Sequence, residues 1–368
     1  MLLAMATGPD AERQEQYSTA GTCGFMQPNI VPEDTVGLSN LPQTTDLDRG
    51  RDVSSDENWI IRGPYTTSVS EEQMETPEAS SYVDSAAGEP VRDCVDAATA
   101  ARVYDAWLLG KDNRAVDRRV AEAVAELVPW VPVGVRANRR FLVRVVRHLA
   151  ERGVRQFLDV GSGLPTRPNV HEVAQRVHPD ARVVYVDNDP VVAAHGRALL
   201  AVDERTVMVT ADATDPMGIV GDPLVAAHLD WSQPVGVLFV AVLHFVPDDA
   251  VAADVMRTFR QILAPGSALA VSHVTPGPPE QAEAMREALK IYRELAVPIV
   301  PRAPSAVASF LDGLDLLPPG LVRVDRWQAR GERDMWPRAH WSKPSPGSTW
   351  TGEIHGVGAV GIVPPATI

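Results

Sequence analysis

The sequence has little of what would place it outside the cell or in a membrane. Only two cysteines, Cys23 and Cys94, occur in 368 residues, far apart and without metal-ligand spacing, which argues against a disulfide framework and a zinc site. The longest nearly apolar run, 235–246, contains a histidine and is well short of the roughly 20 residues that a spanning helix needs. The N-terminal residues lack the basic region of a signal peptide. These absences predict a cytoplasmic protein that does not associate with a membrane.

Basic residues are scarce in the N-terminal quarter of the chain. Residues 1–90 contain 16 Asp and Glu against 4 Arg and no Lys, a net charge of -12 out of the total of -14. Residues 1–92 are also poor in apolar residues, so they bury too little surface to offset the entropy of ordering. We predict a disordered acidic leader there, with a partner-binding segment as the alternative. The remainder is nearly neutral, which predicts no general attraction to nucleic acid.

A strand followed at once by a glycine turn is the central motif. The short apolar run at 157–160 is typical of a parallel strand buried on both faces. Gly161 and Gly163 follow it, and glycine permits both a tight turn and the close approach of a ligand to the main chain. Asp159 lies within the strand end, where an unpaired carboxylate is costly. A cationic ligand that carries an amine would satisfy it.

Two further acids follow predicted strands. The stretch 182–190 contains a second buried strand ending in Asp187, one strand-helix-strand unit after the glycine turn, where an acid can accept hydrogen bonds from the hydroxyls of a ribose. The ligand is therefore expected to be a nucleoside. Asp212 stands just past a third predicted strand, 206–210. There it could accept a hydrogen bond from the exocyclic amine of an adenine, or simply cap a turn.

The glycine pattern is incomplete for a dinucleotide-binding turn. The fingerprint Gly-x-Gly-x-x-Gly needs a third glycine, but this chain has Thr166 there, flanked by Pro165 and Pro168. The prolines delay the next helix, which is predicted to begin near Asn169 with Glu172 completing a capping box. The phosphate-binding geometry is thereby lost. A nicotinamide-dependent oxidoreductase is disfavoured but stays as an alternative.

Helices and strands alternate through most of the chain, which indicates a doubly wound sheet. Three helices are predicted before the first strand, the second capped by Asn113 and the third spanning 135–152. Arginines on one side of that third helix are expected to form a solvated face, or else to grip an anionic substrate. These arginines are Arg136, Arg140, Arg144 and Arg147, and the later predicted strands are 235–242, 267–273, 321–327 and an antiparallel closing strand within 356–363.

His244 is the candidate catalytic residue. It follows the fourth predicted strand, and ligands of open parallel sheets bind beyond the carboxyl ends of the strands. A histidine at this place could take a proton from a substrate near neutral pH. The alternative is a packing residue whose ring nitrogens bond to the backbone.

Seven short segments are specific when taken together: 102–105 (RVYD), 108–113 (LLGKDN), 137–139 (ANR), 157–166 (FLDVGSGLPT), 169–172 (NVHE), 185–190 (YVDNDP) and 242–247 (VLHFVP). With these segments the chain resembles a bacterial family of S-adenosyl-L-methionine-dependent methyltransferases with mostly unassigned substrates. The resemblance implies an α/β fold, namely a Rossmann-like seven-stranded class I methyltransferase sheet with an N-terminal helical cap. With the leader, this gives three regions: a disordered acidic tail at 1–92, the helical cap at 93–153 and the methyltransferase domain at 154–368.

The same resemblance implies that S-adenosyl-L-methionine is the methyl donor and assigns residues to it. The donor pocket would be built from the first three strand tips, with cap helices closing over it or serving a purely structural role. The assigned residues are Asp159, Gly161 and Gly163 at the methionine end, Asp187 and Asn188 at the ribose, Asp212 and Ala213 at the adenine, and Tyr104 and Asn113 on the cap.

The methyl acceptor is expected to be a small molecule that the sequence does not identify. A sulfonium already activates its methyl group, so the protein mainly aligns the nucleophile and excludes water, and a general base is optional. Side chains therefore carry little information on the acceptor. A non-catalytic regulator that binds the donor is the second alternative, and the oligomeric state is left open.

Overall fold

The computed structural model describes residues 97–201, 203–295, 297–328 and 352–365. The predicted disordered leader at 1–92 lies outside these residues. None of the described helices combines the length and the apolarity that crossing a membrane requires.

Three helices precede the sheet, as predicted: α1 (Ala100–Trp107), α2 (Ala115–Leu127) and α3 (Val131–Glu151). The buried Asp117 joins the first two, since its carboxylate accepts from Nε of Arg102 at 2.9 Å and from the amide of Arg114 at 2.8 Å. Arg114 is therefore the N-cap of α2. The prediction that Asn113 caps this helix is wrong, because its side chain is turned toward the preceding loop.

Five parallel strands form the centre of the sheet in the order β3-β2-β1-β4-β5. The chain runs outward from β1 to β3, then returns to the other side of β1 with β4, so the order reverses between β1 and β4. A crevice at such a reversal, beyond the carboxyl ends of the strands, is the usual ligand site of an open parallel sheet. The strands are β1 (Gln156–Val160), β2 (Arg182–Asp187), β3 (Thr206–Thr210), β4 (Val235–Val240) and β5 (Ala268–Val274).

Antiparallel strands complete one edge. The predicted closing strand is confirmed as β8 (Gly356–Ile362), which pairs with all of β5. Two short strands, β6 (Asp315–Leu316) and β7 (Val322–Arg323), both pair with β8, so the described sheet has eight strands. The predicted single strand at 321–327 is too long, because the chain leaves the sheet after two residues. Two short strands, β6 and β7, thus take the place of the single sixth strand of the predicted seven-stranded sheet. A turn that contains prolines connects them.

Helices cover both faces of the sheet, and alternate strand residues belong to two separate cores. Phe157, Tyr185 and Leu238 pack with α3 and its neighbours, whereas Leu158 and Val237 pack against the opposite helices. This alternation explains why the central strands read as continuous apolar runs. The remaining helices are α4 (Val170–Val177), α5 (Pro190–Leu199), α6 (Pro216–Gly221), α7 (Pro223–His228), α8 (Asp249–Ile262), α9 (Ala282–Glu294) and α10 (Pro304–Ser309).

The arginines of α3 do not form the predicted solvated face. Arg147 is exposed, but Arg136 and Arg144 are buried. Nε and Nη2 of Arg144 donate to the carbonyl oxygens of Trp327 at 2.7 Å and Val324 at 2.6 Å. Arg144 therefore fastens the chain that follows β7 to the cap, since a buried guanidinium needs such acceptors.

Candidate functional site

A cavity of about 530 Å³ opens at the carboxyl ends of β1 to β4, at the reversal of strand order. Its walls are the turns after those strands, the cap helices α1 and α3, and residues at 295 and 297–298. All residues that the sequence assigned to the donor line this cavity except Asn113. His244 does not line it either.

The turn after β1 presents bare backbone to the cavity. Gly161 and Gly163 have φ angles of +69° and +64°, which residues with a side chain rarely adopt. A Cβ on Gly161 would lie 2.3 Å from Cγ2 of Val242, whereas one on Gly163 would meet nothing within 4 Å. The first glycine is therefore required by packing and conformation, and the second leaves room for a ligand.

Asp159 is a deeply buried acid of the cavity wall, with 3% of its surface exposed. Burial raises the pKa of its carboxyl group to about 7; the positive charge of Arg139 opposes this shift and the negative charge of Asp187 adds to it. A cation in the cavity would stabilise the charged form of Asp159. The strand end thus holds a carboxyl group whose burial favours the uncharged form.

Arg139 on α3 is a buried member of the site that sequence analysis did not single out, although it ends the Ala-Asn-Arg segment of the family motif. Its Nη2 donates to the carbonyl oxygen of Thr166 and, at 3.0 Å, to that of Pro168. These bonds fix the proline-rich end of the glycine turn. Arg139 therefore links the cap to the turn and brings positive charge near Asp159.

Asp187 is held at the tip of β2 by two backbone amides. Its Oδ2 accepts from Gly163 at 2.8 Å, and its Oδ1 accepts from Asp189 at 3.0 Å. Burial raises the pKa of Asp187, and the hydrogen bonds from these amides oppose the shift. Asn188 follows on the exposed side of the cavity. Asp187 is thus rigidly placed between the first and second strand ends.

Asp212 lies at the exposed end of the cavity. Its Oδ1 accepts from the amide of Thr214 at 2.8 Å and from its hydroxyl at 2.7 Å. The turn-capping interpretation of Asp212 is therefore correct. It does not exclude a ligand contact, because these bonds use one carboxylate oxygen and Asp212 lines the cavity together with Ala213.

A chain of hydrogen bonds connects the cap to the sheet beside the cavity. Nδ2 of Asn138 donates to the hydroxyl of Tyr104 at 3.0 Å, and the hydroxyl of Ser272 donates to Oδ1 of Asn138 at 2.6 Å. The amide of Ala241 donates to that same serine oxygen at 3.0 Å. Ala241 has a φ of +62°, a strained conformation of the kind found at functional sites. Tyr104 is thus fixed over the end of β4.

Asn113 lies behind the cavity wall. Its Nδ2 donates to Oδ2 of Asp105 and to the carbonyl oxygen of Gly110, both at 2.8 Å. Asp105 itself lines the cavity. The expectation that Asn113 closes over the donor is therefore replaced by a supporting position, one residue removed from the ligand space.

A second, smaller cavity of about 130 Å³ adjoins the first. Its boundary with the large cavity includes Tyr104, Asn138, Ala241 and Phe245, which line both. His244 lines the small cavity only. The strand end of β4 thus separates two compartments, and the candidate catalytic residue faces the smaller one.

His244 is buried and electrically neutral at pH 7. Burial lowers its pKa well below 6.5, and the charges of His273 and Arg302 lower it further. Its Nδ1 has no hydrogen-bond partner among the described residues. The packing alternative, in which the ring nitrogens bond to backbone, therefore does not apply to this nitrogen.

Arg302 holds the loop that carries His244, and sequence analysis missed it. The buried guanidinium donates to the carbonyl oxygens of Leu243 at 2.8 Å and Val246 at 2.7 Å. It also donates to Nε2 of His273 at 3.1 Å and to Oδ1 of Asp249 at 2.8 Å. One side chain thus satisfies two carbonyl groups of the loop and sets the orientation of a neighbouring histidine.

Comparison with known families identifies the class of protein. The model of a family described as S-adenosyl methyltransferase matches residues 90–360. The chain belongs to this family. It is an S-adenosyl-L-methionine-dependent methyltransferase, and the nicotinamide and non-catalytic alternatives are set aside.

Two solved structures are similar to the methyltransferase along most of its length. A DUF574-family protein from Streptomyces avermitilis is 37% identical, with 73% of this chain and 98% of that chain covered and a TM-score of 0.63. A candidate methyltransferase from Thermobifida fusca is 39% identical, with coverages of 75% and 99% and the same TM-score. No curated protein matches the chain.

Proposed function

We propose that the protein transfers the methyl group of S-adenosyl-L-methionine to a small-molecule acceptor and that the large cavity holds the donor. The observation that carries this proposal is the convergence of Asp159, Asp187 and Asp212 on one cavity around the glycine turn. Burial raises the pKa values of the carboxyl groups of Asp159 and Asp187. The positive charge of a cationic adenosine compound would favour their ionised forms. The cytoplasmic location stays a prediction.

The geometry supports an ordered arrangement along the strand ends. The buried Asp159 would meet the amine of the donor, since it lies beside the glycine turn. Asp187, at the tip of β2, retains lone pairs beyond its two amide contacts, which suits ribose hydroxyls. In this arrangement Gly161 and Gly163 flank the methionine end, Asn188 assists at the ribose, Asp212 and Ala213 meet the adenine, and Tyr104 covers the donor.

When bound, S-adenosyl-L-methionine would supply a methyl group already activated by a sulfonium. The residues of this chain then bind, align and exclude water. His244 lies on the far side of the boundary from the donor cavity, so we assign it to the acceptor. Because its ring is neutral at pH 7 and its Nδ1 has no partner among the described residues, it would accept a hydrogen bond from the nucleophile.

Calorimetric titration with S-adenosylhomocysteine tests the donor site. The wild-type protein is expected to bind it, and Asp187→Ala to bind it at least tenfold more weakly. Asp187→Asn keeps the size of the side chain and one of its oxygen atoms but removes the negative charge. It therefore tests the contribution of the charge to binding if the alanine variant is unstable. Asp254→Ala, on the exposed face of α8 outside the cavity, is the matched control. Unchanged affinity in both Asp187 variants would refute the assignment.

A further inference from the structure

The small cavity has the composition of a site for an uncharged aromatic molecule. Its described lining contains no Asp, Glu, Lys or Arg, although the large cavity beside it contains five acids and an arginine. An ionised ligand would therefore find no opposite charge there and would lose its hydration. Five aromatic side chains line the wall. Some come from the helical cap, and the others come from the loop after β4 and from α9: Tyr104, Trp107, Trp130, Phe245 and Tyr292.

The volume fits one ring. The cavity measures about 130 Å³, and an apolar protein cavity of about 150 Å³ holds one benzene molecule. Fused or multi-ring groups would need the walls to move. The space therefore favours a single six-membered ring, with any larger part of the molecule outside.

Two buried polar atoms of residues in this wall have no hydrogen-bond partner among the described residues. They are Nδ1 of His244 and Nε1 of Trp130. Buried polar groups normally have hydrogen bonds, so unpaired ones on residues that line a cavity point to a ligand with its own polar group. A hydroxyl group is both a donor and an acceptor, so it can bond to a neutral imidazole or to an indole N–H.

Resting on the donor assignment above, we propose that the small cavity is the acceptor subsite and that it takes a single uncharged aromatic ring bearing a hydroxyl group. The ring would lie among the aromatic side chains, and the hydroxyl would reach the boundary at Tyr104 and Ala241. The hydroxyl oxygen forms the new bond to the methyl carbon while the carbon–sulfur bond breaks and its electron pair stays on sulfur. The hydroxyl proton is released as this bond forms, and His244 is its first acceptor.

Binding of 4-fluorophenol to the protein saturated with S-adenosylhomocysteine, followed by fluorine NMR, tests the proposal without requiring turnover. We expect saturable binding of 4-fluorophenol, and binding of 4-fluorobenzoate at least tenfold weaker at pH 7.5. Ala288→Phe fills the small cavity from α9 and should weaken 4-fluorophenol binding at least tenfold, with S-adenosylhomocysteine affinity within twofold of wild type. Ala282→Phe, exposed on the same helix and outside both cavities, is the matched control.

The outcomes separate the two assignments. Wild type that binds S-adenosylhomocysteine but not 4-fluorophenol would overturn the acceptor subsite and leave the donor site intact. Wild type that does not bind S-adenosylhomocysteine would overturn the donor site. If Ala288→Phe fails to fold, Leu289→Trp fills the same space from a partly buried position. Undiminished 4-fluorophenol binding in a folded filling variant, or equal binding of the benzoate, would refute the proposal.

Discussion

The backbone amide of Gly163 donates a hydrogen bond to Oδ2 of Asp187 at 2.8 Å. This bond joins the turn after β1 to the tip of β2, its neighbour in the sheet. The conformation of the glycine turn and the position of the proposed ribose acid are therefore set together. A change in the turn is expected to affect donor binding through Asp187 as well as through direct contact.

The two glycines of this turn should respond differently to alanine. In Gly161→Ala the alanine is forced into the left-handed conformation of the glycine, and its Cβ collides with Val242. The substitution should therefore lower the free energy of unfolding by about 2–4 kcal/mol. Gly163→Ala adds only the conformational strain, about 1–2 kcal/mol. Its new methyl group enters the cavity, so S-adenosylhomocysteine affinity should fall at least tenfold. Urea denaturation and calorimetry measure the two effects.

Gly153→Ala is the control for strain alone. Gly153 has a φ of +97°, its Cβ would meet nothing within 4 Å, and it lies after α3, away from the cavity. It should cost about as much stability as Gly163→Ala and leave the affinity unchanged. An equal loss of affinity in both variants would show that instability, not the cavity, is responsible.

Asp159 should make the protein less stable as the pH rises. Its pKa is about 7 in the folded protein and 3.8 as the ordinary value, so between these limits the folded state holds a proton that the unfolded chain has released. Stability from this group is lost on going from pH 4 to pH 7. Asp159→Asn should therefore be more stable than wild type at pH 8, by at most about 4 kcal/mol. The difference should vanish below pH 4 in urea titrations, and a constant difference would contradict it.

The same carboxyl group should make donor binding depend on pH. Because the charged form of Asp159 is the proposed partner of the ligand amine, S-adenosylhomocysteine affinity should rise between pH 6 and pH 8. Binding at pH 7 should release protons, which calorimetry in buffers of different ionisation enthalpy detects. In Asp159→Asn the affinity should be lower at pH 8 and nearly independent of pH. A wild-type affinity that is flat with pH would exclude the contact.

Local signals were sufficient for much of the fold. Asp189 caps α5, and Glu172 accepts from the amide of Asn169 at 2.7 Å, which confirms the predicted capping box. Such caps involve residues two or three positions apart, so their chemistry is visible in the sequence. The three acids also follow buried apolar runs, which places them at one edge of a parallel sheet. The fold class and the cavity edge follow from these local patterns.

Contacts between distant segments were not predictable in this way. Arg144 looked like part of a solvated stripe, but its acceptors, Val324 and Trp327, are about 180 residues away in the chain. Arg302 carried no local motif, since its partners lie on a loop more than fifty residues earlier. The small cavity escaped prediction for the same reason. Its walls combine α1, α2, α3, α9 and two strands, and no local sequence pattern predicts that assembly.

Arg302 should contribute strongly to stability through the loop that carries His244. Arg302→Met removes the donors to the carbonyl oxygens of Leu243 and Val246. This leaves the buried oxygen of Val246 without its partner and that of Leu243 with only the amide of Val246, and should lower the free energy of unfolding by about 2–4 kcal/mol. The ion pair is not the reason, because the side chain of Asp249 is 83% exposed. Asp249→Asn should therefore cost less than about 1 kcal/mol.

Hydrogen exchange distinguishes a local from a global effect of Arg302. The amide of Val246 donates to Leu243 at 3.2 Å within the loop, and it should lose protection in Arg302→Met by more than the amides of β1 and β4 do. If the loop forms the wall between the donor and acceptor cavities, 4-fluorophenol binding should weaken together with that protection. Equal losses of stability in Arg302→Met and Asp249→Asn would instead assign the effect to the exposed ion pair. The hydrogen bonds to the carbonyl oxygens would then be secondary in holding His244 in place.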